Sequence, residues 1–133
     1  MTNPYQPVIL IPITMKKDNH TFADLEFHAH ANTPDGIHAK LNLGDGFEIS
    51  VVSMKNKDKQ FGGLYGNASK GTYEVAMFHN DKMLPLAKFD DVLGWQDEVA
   101  ITRLMGEAQK NGVVWVDLLH ELRNDYRQTL LAD

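Results

Sequence analysis

Apolar and polar residues alternate almost without a break from Asp24 to Val52, and this pattern most narrowly restricts what the chain can become. Leu25, Phe27, Ala29 and Ala31 are separated by Glu26, His28 and His30. Ile37, Ala39, Leu41 and Leu43 are separated by His38, Lys40 and Asn42, and Phe47, Ile49 and Val51 by Glu48 and Ser50. A period of two means strands with one buried face. Between the runs, Asn32-Thr33-Pro34-Asp35-Gly36 and Gly44-Asp45-Gly46 carry the residues that close turns. A one-residue slip would turn each apolar set to water, so register is testable. The loops pair Ala31 with Ile37, Ala29 with Ala39, Phe27 with Leu41 and Leu25 with Leu43. The second turn pairs Leu43 with Phe47 and Leu41 with Ile49. The expectation is a three-stranded antiparallel meander, with His38 directly opposite His30.

The flanks complete the layout. Val8 to Met15 reads as a strand that Pro7 and Pro12 confine to a sheet edge. Thr72 to Phe78 alternates as a strand, and Met83 to Phe89 offers a short further one. Asp97 to Lys110 has helical spacing at Ala100, Ile101, Leu104, Met105 and Ala108. Asp97 or Gln96 can cap its start, and Asn111-Gly112 ends it. Val116 to Ala132 reads as a second helix burying Leu118, Leu119, Leu122, Tyr126 and Leu130, with Val113 to Trp115 as its lead-in or a short strand. Strands followed by helices predict an α+β fold: an antiparallel β-meander with two C-terminal helices packed on one face. With no repeat or composition break, residues 1–133 read as a single α+β domain, residues 1–6 being expected to be flexible.

Composition removes function classes. The chain has 133 residues and no cysteine, which excludes disulfides, thiolate zinc sites and a cysteine nucleophile. Its net charge of −5 argues against coating nucleic acid through bulk charge. Residues 1–54 carry −3, residues 55–89 carry +3 and residues 90–133 carry −5, a basic island between acidic flanks. Met1 to Pro7 lacks the basic and apolar regions of a signal peptide, and no apolar run can span a bilayer. A cytoplasmic protein that does not meet the membrane is the expectation.

Two clusters carry candidate chemistry. Four of the six histidines fall between residues 20 and 38. On the expected sheet His28, His30 and His38 share the polar face, where opposed side chains lie about 5 Å apart at Cβ. Imidazoles so placed suit zinc or another transition metal, with His20 or Glu26 as further ligands. Solvated polar residues on an open sheet face would give the same pattern, and no H-E-x-x-H signature accompanies it. The second cluster is the glycine-rich loop 54–71, where Lys55, Lys57, Lys59 and Lys70 surround Phe61 and Tyr65. Basic side chains with stacking aromatics are the chemistry of single-strand nucleic-acid binding, whereas an exposed lysine loop that aids solubility has the same composition. Its Phe61-Gly62-Gly63-Leu64-Tyr65-Gly66 segment lacks the G-x-x-x-x-G-K-[ST] of a phosphate loop. No G-x-S-x-G elbow is present, and no residue is assigned a catalytic role.

From residue 47 to 108 the order of motifs is Phe47-Glu48-Ile49-Ser50-Val51-Val52, a glycine-rich segment, Gly71-Thr72-Tyr73-Glu74-Val75-Ala76-Met77-Phe78, Asp90-Asp91-Val92-Leu93-Gly94-Trp95 and a helix through Val99, Ile101 and Leu104. This order resembles a group of small, mostly uncharacterised accessory proteins of phages and prophages. The likeness covers about half the chain. Where such a group would show serine and tyrosine before the glycines, this chain has Gln60-Phe61-Gly62-Gly63. The resemblance implies an accessory factor in the host cytoplasm that binds and modulates a host macromolecule, including inhibition of defence proteins. Its contact would be the helix row Asp117, Glu121 and Asp125, or the 54–71 loop with Lys55, Lys57, Lys59, Phe61 and Tyr65. An acidic row can occupy a basic, nucleic-acid-binding channel of a host protein. The competing reading is a metal-binding protein or metal-dependent hydrolase using His28, His30 and His38. Monomer and homodimer are both compatible with the exposed strand edges.

Overall fold

The computed structural model describes residues 19–132; the expected strand Val8–Met15 and the expected flexible residues 1–6 lie outside them. Six strands form one antiparallel sheet: β1 (His28–Ala29), β2 (Gly36–Gly44), β3 (Phe47–Met54), β4 (Tyr73–His79), β5 (Lys82–Met83) and β6 (Leu93–Gln96). The order is β1-β2-β3-β4-β5, and β6 shares the free edge of β4 with β5. Two helices follow, α1 (Glu98–Asn111) and α2 (Val113–Ala132). The chain is an α+β fold with an antiparallel sheet and two C-terminal helices.

The alternation decides which face is buried. Ala39, Val51 and Val75 stand side by side across β2, β3 and β4, as do Leu41, Ile49 and Met77. Phe47, Ile49, Val51, Val75 and Met77 are almost wholly buried against Ile101 and Met105 of α1. Removing these side chains from water drives the sheet and helix together. Asp97 caps α1 by accepting the Ala100 N–H at 2.8 Å, satisfying an orphan donor of the first turn. Gly112, at φ 51°, separates α1 from α2.

The first hairpin differs from expectation by two residues. His28 pairs with His38 and Ala29 with Ile37, and the His30 N–H bonds to the Gly36 carbonyl at 2.8 Å. The reason lies in the turn. Asp35, not Gly36, takes the left-handed conformation, at φ 63°, which aspartate tolerates. Gly36 is thereby released into β2, where a Cβ would lie 3.0 Å from the Cβ of His30. A two-residue shift preserves parity, so the histidines remain on one face.

The strand expected over Asp24–Ala31 is reduced to β1, and Phe22–Asp24 forms a 3-10 turn with Thr21 and Asp24 as a capping box. Ala29 and Ala31 are exposed at this edge. In the second hairpin Leu41 pairs with Ile49 as expected, but Gly44 rather than Leu43 faces Phe47. Asp45 and Gly46 both have positive φ, 52° and 86°, the two-residue turn that suits the strand twist. Leu43 becomes the extra residue of a bulge.

The second helix departs most from expectation. It begins at Val113, and the residue it gives the core is Trp115, 7% exposed, with Val116 and Leu119 packed alongside. Leu119 and Tyr126 are half-buried, whereas Leu118, Leu122 and Leu130 are exposed. Ile101 and Met105 of α1 already pack on the apolar sheet face, so the later turns of α2 rest on the 85–91 segment instead. There the Arg123 guanidinium donates to the carbonyls of Ala87 and Asp90 and meets Asp91 at 3.2 Å.

Candidate functional site

The polar face of the sheet brings the three histidines together as neighbours. His28 lies opposite His38, and the His30 and His38 ring centroids are 5.8 Å apart at 54°. The ring nitrogens of His30 and His38 have other partners. His30 Nδ1 accepts the N–H groups of Asn32 and Thr33, both at 3.1 Å, so the neutral ring carries its proton on Nε2. His38 Nε2 lies 3.3 Å from Ser50 Oγ. Burial, followed by the charges of Lys40 and His30, lowers the His38 pKa from its ordinary 6.5. Among the described residues no three His, Asp or Glu side chains form a group able to hold a metal ion. His20 lies elsewhere, with Nδ1 3.3 Å from Asp24 and its backbone bonded to Gln109 of α1.

In the 54–71 loop two of the expected lysines are neutralised locally. Lys57 Nζ meets Asp35 at 2.9 Å and Lys70 Nζ meets Asp58 at 3.5 Å. Lys57 accordingly holds Asp35 below the usual carboxylate range, and a hydrogen bond from Asn67, then Lys70, does so for Asp58. Lys55 is exposed, and Lys59 Nζ sits 4.6 Å from the centroid of the Tyr65 ring. Phe61 is wholly exposed. Asn67 is buried and anchors the loop base: its side chain accepts from the Ser69 N–H and hydroxyl, and its N–H bonds to Thr72 Oγ1. The loop therefore has a fixed base and a ring-bearing, exposed outer part.

The segment Asp90 to Trp95, quoted above as a motif, runs into strand β6 and places Trp95 in it. Asp90 to Trp95 reads as a turn because it is short and mixed in character. The signal that could have found the strand is Gly94, since an isolated glycine between β-forming residues marks a bulge or close backbone approach. Trp95 stands beside Tyr65, with ring centroids 6.4 Å apart at 82°.

On α2, Asp117, Glu121 and Asp125 form one exposed row at i, i+4 spacing, and exposed Leu118 and Leu122 form the adjacent row. Around Leu122 the helix and the 85–88 segment form a half-open, mostly apolar pocket of about 240 Å³ lined by Pro85, Leu86, Leu119 and Tyr126, with Lys88 and Arg123 also on its wall. No helix of the described residues is long and apolar enough to cross a membrane. Comparison with family models, curated proteins and solved structures found no match for this chain.

Proposed function

We propose that this chain is a non-enzymatic binding protein, an accessory factor of phage or mobile-element origin, that engages and modulates a host protein in the host cytoplasm. The observation that carries this reading is the paired rows of α2: exposed Leu118 and Leu122 beside exposed Asp117, Glu121 and Asp125. An apolar seam flanked by carboxylates supplies burial at its centre and charge selection at its rim. The matching surface is apolar with basic residues along one side, the chemistry found around nucleic-acid channels. Inhibition by occupying such a channel is the mode this favours. The proximity of His30 and His38 is the observation behind the competing metal reading, and the hydrogen bonds at His30 Nδ1 oppose it.

Affinity capture from bacterial lysates, with wild-type protein and Leu118→Glu run in parallel, tests the proposal. A specific host protein recovered by wild type and lost by the variant is the expected result. No specific partner, or equal recovery by both, contradicts it.

A further inference from the structure

Where the glycine-rich loop meets β6, the backbone is bent to hold two rings out to water. In the β4–β6 pairing Val75 faces Leu93 and Tyr73 faces Gln96, so Gly94 and Trp95 together oppose Glu74. Such a bulge re-aims a side chain. Trp95 has φ 58°, a left-handed conformation that a bulky residue rarely adopts. The core does not gain from it, because Trp95 stays 44% exposed.

Strain of this kind persists only where the surroundings over-determine it, and here they do. The Trp95 N–H bonds to the Tyr65 carbonyl at 2.8 Å, and the Tyr65 N–H bonds to Glu74 Oε1 at 2.9 Å. At Gly94 a Cβ would lie 2.7 Å from the Tyr65 Cβ, so a glycine is what lets the two backbones meet. The outcome is an edge-to-face pair of half-exposed rings, its backbone held by two hydrogen bonds, with the Lys59 ammonium on Tyr65. Unlike Lys57 and Lys70, Lys59 has no carboxylate partner among the described residues.

We propose that Tyr65 and Trp95 form a stacking corner for a nucleobase whose phosphate is met by Lys59. A planar π-ligand matches the flat, pre-positioned ring of Trp95, and aromatic stacking tolerates any base. The Lys59 ammonium over Tyr65 favours an anion, while the one carboxylate bonded at the corner, Glu74, is engaged by the Tyr65 N–H. Exposed Lys55 adds a second positive charge to the same loop, and wholly exposed Phe61 a further ring. The site is separate from the α2 rows, so it stands or falls independently of the protein-binding reading.

Fluorescence anisotropy with labelled oligothymidylate and oligouridylate at low ionic strength tests this, with uridine monophosphate as competitor. Wild type is expected to bind, more weakly as salt rises. Trp95→Gly removes the ring and relieves the backbone, so the variant should melt as wild type does while losing roughly tenfold or more in affinity. Lys59→Ala should weaken binding several-fold and flatten the salt dependence. Competition by the mononucleotide at the affinity of the oligonucleotide assigns the site to a free nucleotide; competition only at far higher concentration assigns it to a strand. No binding of any probe, or full affinity in folded Trp95→Gly, overturns the proposal. So does a captured host protein that is lost from Trp95→Gly when no nucleotide binds.

Discussion

The carbonyl of Tyr65 accepts the backbone N–H of Trp95 at 2.8 Å, joining the glycine-rich loop to a strained strand. Gly94 stands immediately before that bond with the Tyr65 side chain against it. Gly94→Ala should therefore cost about 1–3 kcal/mol through overpacking. Gly106, in the middle of α1 with open space where a Cβ would be, should behave oppositely. Gly106→Ala is expected to stabilise by about 0.5–1 kcal/mol, since alanine is the better helix former. Urea denaturation of both variants reads the difference.

Burial divides the helices as sharply. Met105 of α1 is completely buried between the helix and the sheet, while Leu122 of α2 is more than half exposed. Met105→Ala should destabilise by about 2–5 kcal/mol, and Leu122→Ala by no more than about 0.5 kcal/mol. Thermal melts would show it; equal losses would mean that the α2 row is covered.

Arg123 ties the free half of α2 to the 85–91 segment by bonding two carbonyls and Asp91. Arg123→Met keeps the stem and removes the donors. A loss of about 1–3 kcal/mol is expected, because charge-assisted bonds to the Ala87 and Asp90 carbonyls and to Asp91 are broken. Faster hydrogen exchange confined to residues 85–91 and the end of α2 would accompany it.

Acidification should weaken the fold through His38. Its folded pKa is lowered by burial and by the charges of Lys40 and His30. Between that value and the ordinary 6.5 the unfolded chain binds the proton more readily than the folded one. Stability is then full above the unfolded pKa and falls as pH drops through the window between the two values. The melting temperature should decline below neutrality, and His38→Gln should flatten that decline. A steeper decline in the variant would contradict the assignment.

Much of the fold was legible because alternation encodes burial directly. Ile49, Val51, Val75 and Met77 lie in the core as their spacing implies, and Asp97 caps α1. The first register was misjudged by two residues because positive φ falls on Asp35, and a sequence containing Asp35-Gly36 points to the glycine. Burial of Leu118, Leu122 and Leu130 was overestimated because helical periodicity shows an apolar stripe but not what covers it. In the candidate site, Tyr65 and Lys59 were visible as residue types, yet the pairing of Lys57 with Asp35 depends on residues far apart in sequence. Trp95 was not singled out because its exposed position beside Tyr65 comes from a bulge opposite Glu74 and a bond to Tyr65, neither of which leaves a local pattern.

Both proposals rest on exposed side chains, the α2 rows for a host protein and, independently, the Tyr65–Trp95 corner for a nucleobase. The chain has two tryptophans, half-exposed Trp95 and Trp115, 7% exposed, so ¹⁵N-labelled protein should show two indole N–H signals. During titration with oligouridylate the Trp95 indole and the Tyr65 and Lys59 amides should shift while the Trp115 indole stays in place. Unmoved signals at Trp95, or equal shifts spread over the whole protein, would contradict a nucleobase site at Tyr65 and Trp95.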